Sequence, residues 1–109
     1  MPLPRVAGQA GATAYTDIVV FKWDSRKAAA NLKKHGIDFH EAATVLDDTF
    51  STTFPDTDHS SLVEPRCLTI GMSNRGRILV VAHTERDDTM RVITARRATR
   101  HERRFYEEG

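Results

Sequence analysis

The sequence predicts an α+β domain in which a small antiparallel β-sheet follows two helices and precedes a third. Two observations lead to this fold class. Four consecutive segments with strand character are joined by short turns, and capped helical segments lie before and after them. The chain has 109 residues, a length that suits one compact domain.

The first strand and the first helix are predicted from residue type and from helix-end signals. Residues 18–23 are rich in β-branched and aromatic side chains, which favour a strand. Asp24 is a good N-cap for a helix over 25–34. Gly36 follows this helix in the position where a left-handed glycine commonly ends a helix.

The second helix is predicted from a capping-box spacing. Asp38 and Glu41 have this spacing, and the helix is expected to end at 47–48. Residues 50–54 alternate between apolar and polar side chains, as half-buried strands do. The polar, turn-rich residues 55–65 are predicted to form a loop.

The rest of the sheet is predicted as an antiparallel meander. Strands are expected over 66–71, 77–84 and 90–96, with turns at 73–76 and 85–88. The strand over 77–84 is apolar on both faces, which indicates a central position.

A last helix and an N-terminal leader complete the predicted organisation. Thr99 and Glu102 form another capping box, for a helix that reaches Glu107. Residues 1–17 contain prolines, glycines and alanines without periodicity, so a disordered leader is expected there. The folded domain is then 18–109.

Composition limits the class of protein. The single cysteine, Cys67, excludes an internal disulfide framework, and no apolar run has the roughly 20 residues of a membrane span. The first residues lack the apolar core of a signal peptide. A cytoplasmic protein is therefore expected.

The charges are balanced overall but unevenly placed. The chain has 16 Lys+Arg and 15 Asp+Glu, a formal net charge of +1. Ten arginines lie from 66 to 104, where only four acidic residues oppose them. Because the guanidinium fork fits phosphate, this region predicts a local phosphate-binding face.

Several spaced motifs run from Phe21 almost to the end of the chain. They are Phe21-x-Trp23-Asp24, Lys27, Asn31-Leu32-x-Lys34-His35-Gly36-Ile37-x-Phe39-x-Glu41-Ala42, Asp47-Asp48, Glu64-x-Arg66, Gly71, Arg91-x-Ile93-x-Ala95-Arg96-x-Ala98 and Glu102-Arg103-x-x-Tyr106-Glu107. In combination they resemble the BrnT toxin family.

This resemblance implies a toxin of a bacterial type II toxin–antitoxin pair with a fold similar to RelE-type ribonucleases. Such a toxin cleaves RNA and stops translation. The implied partner is a BrnA-like antitoxin, which binds operator DNA and forms a hetero-oligomer with the toxin. No cofactor is implied, and the histidines lack the spacing of metal ligands.

Metal-free RNA cleavage needs a base, an acid and cations that stabilise the phosphorane. Arg66, Arg77 and Arg96 lie at or near the ends of predicted neighbouring strands, while Glu64 and His83 are the acid–base candidates nearby. Each also has a structural interpretation. The arginines could be solvated, Glu64 could pair with Arg66, and His83 could be half-buried beside apolar neighbours.

A second set of candidates could bind RNA or a partner protein. It comprises Lys33, Lys34, Arg97, Arg100, Arg103, Phe105 and Tyr106. The two lysines have an alternative role at the helix C-terminus, where cations favour the helix dipole. The arginines could form a solvated helix face. A non-enzymatic basic module that docks an antitoxin or nucleic acid is therefore the alternative to a ribonuclease.

Overall fold

The computed structural model describes residues 5–7, 13–16, 19–60 and 64–109. In these ranges the strands are β1 (Arg5–Ala7), β2 (Thr13–Thr16), β3 (Val19–Lys22), β4 (Thr52–Pro55), β5 (Cys67–Met72), β6 (Ile78–Arg86) and β7 (Thr89–Arg97). The helices are α1 (Ser25–His35), α2 (Phe39–Val45) and α3 (Arg100–Glu108). The predicted α+β class with three helices is confirmed.

The sheet is mixed, which corrects the prediction of a purely antiparallel one. Its strand order in the described ranges is β1-β2-β3-β7-β6-β5-β4. Strands β4 to β7 pair antiparallel in chain order, whereas β3 pairs parallel with β7. A parallel pair needs a long crossover, and the segment from α1 to β6 provides it.

Within the proposed leader over 1–17, the structure describes two short strands. Strand β1 pairs antiparallel with β2, and β2 pairs antiparallel with β3, so both extend the sheet beyond β3. These short strands are defined by backbone pairing. Their sequence has no side-chain periodicity from which they could be predicted. The other residues of the proposed leader lie outside the described residues, and the domain boundary at 18 stays a prediction.

The predicted N-cap residues are present at all three helices. The Asp24 carboxylate accepts from the backbone N–H groups of Arg26 and Lys27 at 2.8 and 3.1 Å. Gly36 has φ 70° and closes α1 by donating to the Leu32 carbonyl. At α3, Thr99 forms the reciprocal capping box.

The core lies between one face of the sheet and helices α1 and α2. The sheet contributes Phe21, Leu79, Val81, Val92 and Ala95, and Trp23 joins them from the segment just after β3. The helical side contributes Ile37, Phe39, Ala42, Ala43 and Val45. The indole of Trp23 meets the ring of Phe39 edge-on at 6.1 Å, an arrangement that aromatic pairs prefer.

Asn31 ties α1 to the sheet through three buried hydrogen bonds. Its amide donates to the carbonyls of Ile37 and Ala95, both at 2.9 Å, and accepts from the Ala95 N–H at 3.1 Å. Asn31→Ala should lower the free energy of unfolding by about 2 kcal/mol, because it leaves buried backbone groups unsatisfied. Urea unfolding measures this change.

Lys27→Ala is a matched control on the exposed side of the same helix. It should change stability by no more than about 0.5 kcal/mol. Equal stability of the Asn31→Ala variant and the wild type would contradict the role assigned to Asn31.

Candidate active site

A groove lies at the end of the sheet where β6 turns into β7. Its cavity volume is about 710 Å³. The end of β3, the β6–β7 turn and the segment before β5 form its walls. The charged side chains that line this β6–β7 groove are Lys22, Arg86, Arg91, Asp24, Glu64, Glu85 and Asp87.

Backbone pairing fixes the positions of the cations. In the parallel pairing of β3 with β7, Lys22 lies directly opposite Arg91. Arg86 closes the β6–β7 turn, where Asp87 adopts a positive φ of 55° that aspartate tolerates better than most residues. The Val20 N–H donates to the Asp88 carbonyl at 2.9 Å and holds this turn against β3.

Asp24 lines the groove, but its role is that of the N-cap of α1. Backbone hydrogen bonds from Lys27 and Arg26 lower the pKa of its carboxyl, and the charges of Lys27 and Arg91 act in the same direction. The carboxyl therefore stays ionised while it caps α1. This leaves the other carboxylates of the groove as candidates for proton transfer.

The predicted pair Glu64 and Arg66 lies beside the groove. Glu64 lines it and is exposed, whereas Arg66 is half-buried and its backbone N–H donates to the Ser60 hydroxyl at 2.9 Å. Between them, the Pro65 carbonyl accepts from the Thr84 hydroxyl at 2.7 Å. This bond fixes the segment against the end of β6.

His40 lies near the groove and is not among the catalytic residues predicted from the sequence. Its imidazole lies 5.0 Å from the indole of Trp23, edge-on at 88°. Trp23 is buried and lines the groove, while His40 is exposed. The sequence could have indicated its position, because His40 follows Phe39 and lies on the polar side of an amphipathic helix.

Arg77 lies away from the groove, in an ion pair with the buried carboxylate of Glu41. Its Nε donates to Glu41 Oε2 at 2.9 Å, and its Nη2 donates to Glu41 Oε1 and to the Gly36 carbonyl. The Ser73 hydroxyl also donates to Glu41, at 2.7 Å. Burial raises the pKa of Glu41, but the hydrogen bonds from Arg77 and Ser73 outweigh it and the net pKa is lowered.

The structure therefore does not bring the three predicted arginines together. Arg66 precedes β5 and Arg77 precedes β6, so they lie at opposite ends of the β5–β6 hairpin. At about 3.3 Å per strand residue, the length of β5 separates them by roughly 20 Å.

Arg96 clamps α3 to the sheet. Its Nη1 and Nη2 donate to the two carboxylate oxygens of Glu102 at 2.7 and 2.9 Å. This bidentate pair lowers the pKa of Glu102 to about 2 and raises that of Arg96. Glu102 belongs to the capping box of α3, so the pair connects β7 to the first turn of the helix.

His83 is in the protein interior, with 4% of its surface exposed. Its Nε2 lies 2.7 Å from the Thr69 hydroxyl, which lies 2.6 Å from the Thr53 hydroxyl. Its buried Nδ1 has no hydrogen-bond partner in the described part of the chain. Burial lowers the pKa of His83 to about 4, so the ring is neutral and shielded from an RNA substrate.

The second set of candidates lies at the far end of the sheet from the groove. Lys33, Lys34, Arg97, Arg100 and Arg103 are all exposed, and Phe105 is 51% exposed. Tyr106 is half-buried and donates to Asp48 Oδ2 at 2.6 Å. Burial and this bond raise its pKa to about 12, which indicates a role in docking α3 rather than a partner.

The described residues contain neither a metal-ligand cluster nor a membrane-spanning helix. No group of three His, Cys, Asp or Glu side chains is placed there to hold a metal ion. None of the helices in these ranges is long and apolar enough to cross a membrane.

Comparison with known proteins gives a family and a related structure. A family model described as a ribonuclease toxin, BrnT, of type II toxin–antitoxin systems matches residues 23–102. The 1.1 Å crystal structure of the Brucella abortus ribonuclease toxin BrnT matches with 27% sequence identity and a TM-score of 0.55. This match covers 72% of the present chain and 94% of that chain. Among curated proteins, none matches.

The class of protein is therefore a ribonuclease toxin of a type II toxin–antitoxin system. Within this class the chain belongs to the BrnT family, which confirms the resemblance seen in the sequence motifs. Membership implies an antitoxin partner and an RNA target.

Proposed function

We propose that this chain is a metal-independent endoribonuclease that cleaves RNA in the β6–β7 groove and so stops translation. A BrnA-like antitoxin neutralises it in the cytoplasm and alone contacts operator DNA. We also propose that its fold is similar to that of RelE-type ribonucleases. The observation that carries it is the gathering of three cations, several carboxylates and a nearby exposed histidine at one groove.

The cations supply the stabilisation that cleavage requires. When the ribose 2′-oxygen attacks the neighbouring phosphorus, negative charge builds on the phosphorane oxygens. Lys22 and Arg91 lie side by side in the pairing of β3 with β7 and can stabilise that charge, with Arg86 at the turn. Fixed strands hold these cations, so little reorganisation is needed during the reaction.

Proton transfer needs one group on each side of the phosphate. We assign the base to Glu64, on the groove wall, and the acid to His40, across Trp23. The base removes the 2′-hydroxyl proton, a 2′,3′-cyclic phosphate forms, and the departing 5′-oxygen takes a proton from the acid. Histidine and carboxylate side chains are common in these two roles.

Replacing both Lys22 and Arg91 with glutamine should lower kcat/KM for a fluorogenic RNA about 100-fold or more, because each cation stabilises transition-state charge. Arg26→Gln is the matched control, an exposed cation of α1 whose side chain does not line the groove. A double variant that folds and keeps full activity would contradict cleavage in this groove.

Two further measurements test the other parts of the proposal. Cleavage should persist in excess chelator, and loss of activity on chelation would contradict metal independence.

Expression without antitoxin should arrest growth. Normal growth with well-folded wild-type protein would contradict a toxin that stops translation.

One observation favours the alternative of a non-enzymatic module. Of the predicted catalytic residues, Arg77 and Arg96 form internal ion pairs and His83 is buried. Purified protein that binds RNA in a salt-dependent way, yet leaves it intact over hours, would establish this alternative.

A further inference from the structure

We propose that RNA is held mainly at the end of the molecule opposite the β6–β7 groove, by an exposed basic surface. This basic end consists of Lys33, Lys34, Arg97, Arg100 and Arg103. The proposal rests on the proposed function and deepens it. The groove performs the chemistry, and the basic end binds the RNA backbone several nucleotides away from the cleaved bond.

The charge of the groove requires a second binding surface. Three cations line the groove, but four carboxylates line it as well. A site with this balance does not attract a polyanion over distance, because non-specific affinity for nucleic acid depends on phosphate contacts with Lys and Arg. The affinity for RNA must therefore come from another part of the surface.

The five cations of the basic end are exposed to solvent. None of its five cations forms an ion pair with another residue of the described ranges. Three carboxylates near this end are engaged by other groups. Glu41 pairs with Arg77, Glu102 pairs with Arg96, and Asp38 caps α2.

The fold makes the basic end and the groove parts of one rigid unit. Helix α1 starts at the groove, where Asp24 caps it, and its last turn carries Lys33 and Lys34. Its 11 residues span about 16 Å. Asn31 locks α1 to Ala95, two residues before Arg97, so the lysines and Arg97 reach the same end of the sheet.

The chemistry of this surface fits single-stranded RNA better than an acidic protein segment. Its cations are spread over three elements, α1, β7 and α3, which suits an RNA backbone that carries a charge on every nucleotide. Phe105, two residues after Arg103 and so on a different face of α3, is 51% exposed and offers a ring on which a base can stack. Arginine also suits bidentate phosphate contacts.

The test is the salt dependence of binding to a fully 2′-O-methylated RNA, which cannot be cleaved. Replacing Lys33, Lys34, Arg100 and Arg103 with glutamine should reduce the slope of log K against log salt by about 3, since each single-strand phosphate contact contributes about 0.7. Between 50 and 200 mM salt, the wild type should then lose about 50-fold more affinity than the variant. Arg104→Gln, whose cation pairs with Glu108 on the same helix, is the control.

Cleavage kinetics give a second readout. The quadruple variant should keep the wild-type kcat at saturating RNA while its KM rises. An oligonucleotide shorter than α1 cannot reach from the groove to the basic end. Its KM should therefore be equal for the variant and the wild type. These results would show that the surface acts in binding and not in the chemistry.

An unchanged salt slope in the folded variant would overturn the proposal. So would loss of antitoxin binding with the slope intact, because the surface would then serve the protein partner. Failure of the proposed function is distinguishable, since wild-type protein would then bind the methylated RNA yet leave unmodified RNA intact.

Discussion

Arg77→Ala should destabilise the domain by about 3–5 kcal/mol, enough to remove most of the stability of an ordinary small domain. The side chain of Glu41 is 2% exposed and would be left in the interior without its main partner. A buried charge that loses its partner is among the costliest changes in a protein interior. Urea unfolding, with soluble yield as a second measure, gives the result.

The double variant Glu41→Gln with Arg77→Met should recover much of this loss, because it removes both charges together. The comparison separates structure from catalysis. If Arg77→Ala retained wild-type stability but lost cleavage, the ion pair would be incidental and Arg77 would be a catalytic residue after all.

Acidification from pH 6.5 to pH 4 should cost about 3 kcal/mol of stability through His83 alone. Burial lowers the pKa of the folded histidine to about 4 from its ordinary 6.5. The unfolded chain therefore binds the proton first, and the stability present above pH 6.5 is lost as the pH falls through this window. About 2 kcal/mol should be lost by pH 5, above the range in which ordinary carboxyl groups titrate.

A His83→Leu variant should lose this pH dependence between 6.5 and 5, while His101→Gln, an exposed control, should retain it. Urea unfolding at several pH values gives the comparison. Stability of the wild type that stays constant over this window would show that His83 protonates without penalty, contrary to its burial.

Local sequence signals predicted the helices well. An N-cap acts within a few residues, so Asp24 and the Thr99–Glu102 box could be recognised from spacing alone. Glu41 shows the limit of such signals. Its position fits a capping box, but only the Asp38 half is present, because the Glu41 carboxylate bonds instead to Arg77, 36 residues away.

The candidate site depends on contacts that no local pattern encodes. Lys22 meets Arg91 through the parallel pairing of two strands far apart in the sequence, and nothing near either residue specifies that register. His83 did carry a usable signal. Its alternation with Leu79 and Val81 placed it on an apolar face, and the structure confirms this alternative for His83.

Helix α3 is attached to the sheet in an unusual way, with no buried residue of its own. The polar contacts of Arg96 with Glu102 and of Tyr106 with Asp48 hold it in place. Such a helix can open locally while the rest of the domain stays folded. Because Arg100 and Arg103 are on it, the docking of α3 and the binding of RNA are thermodynamically linked, and each stabilises the other.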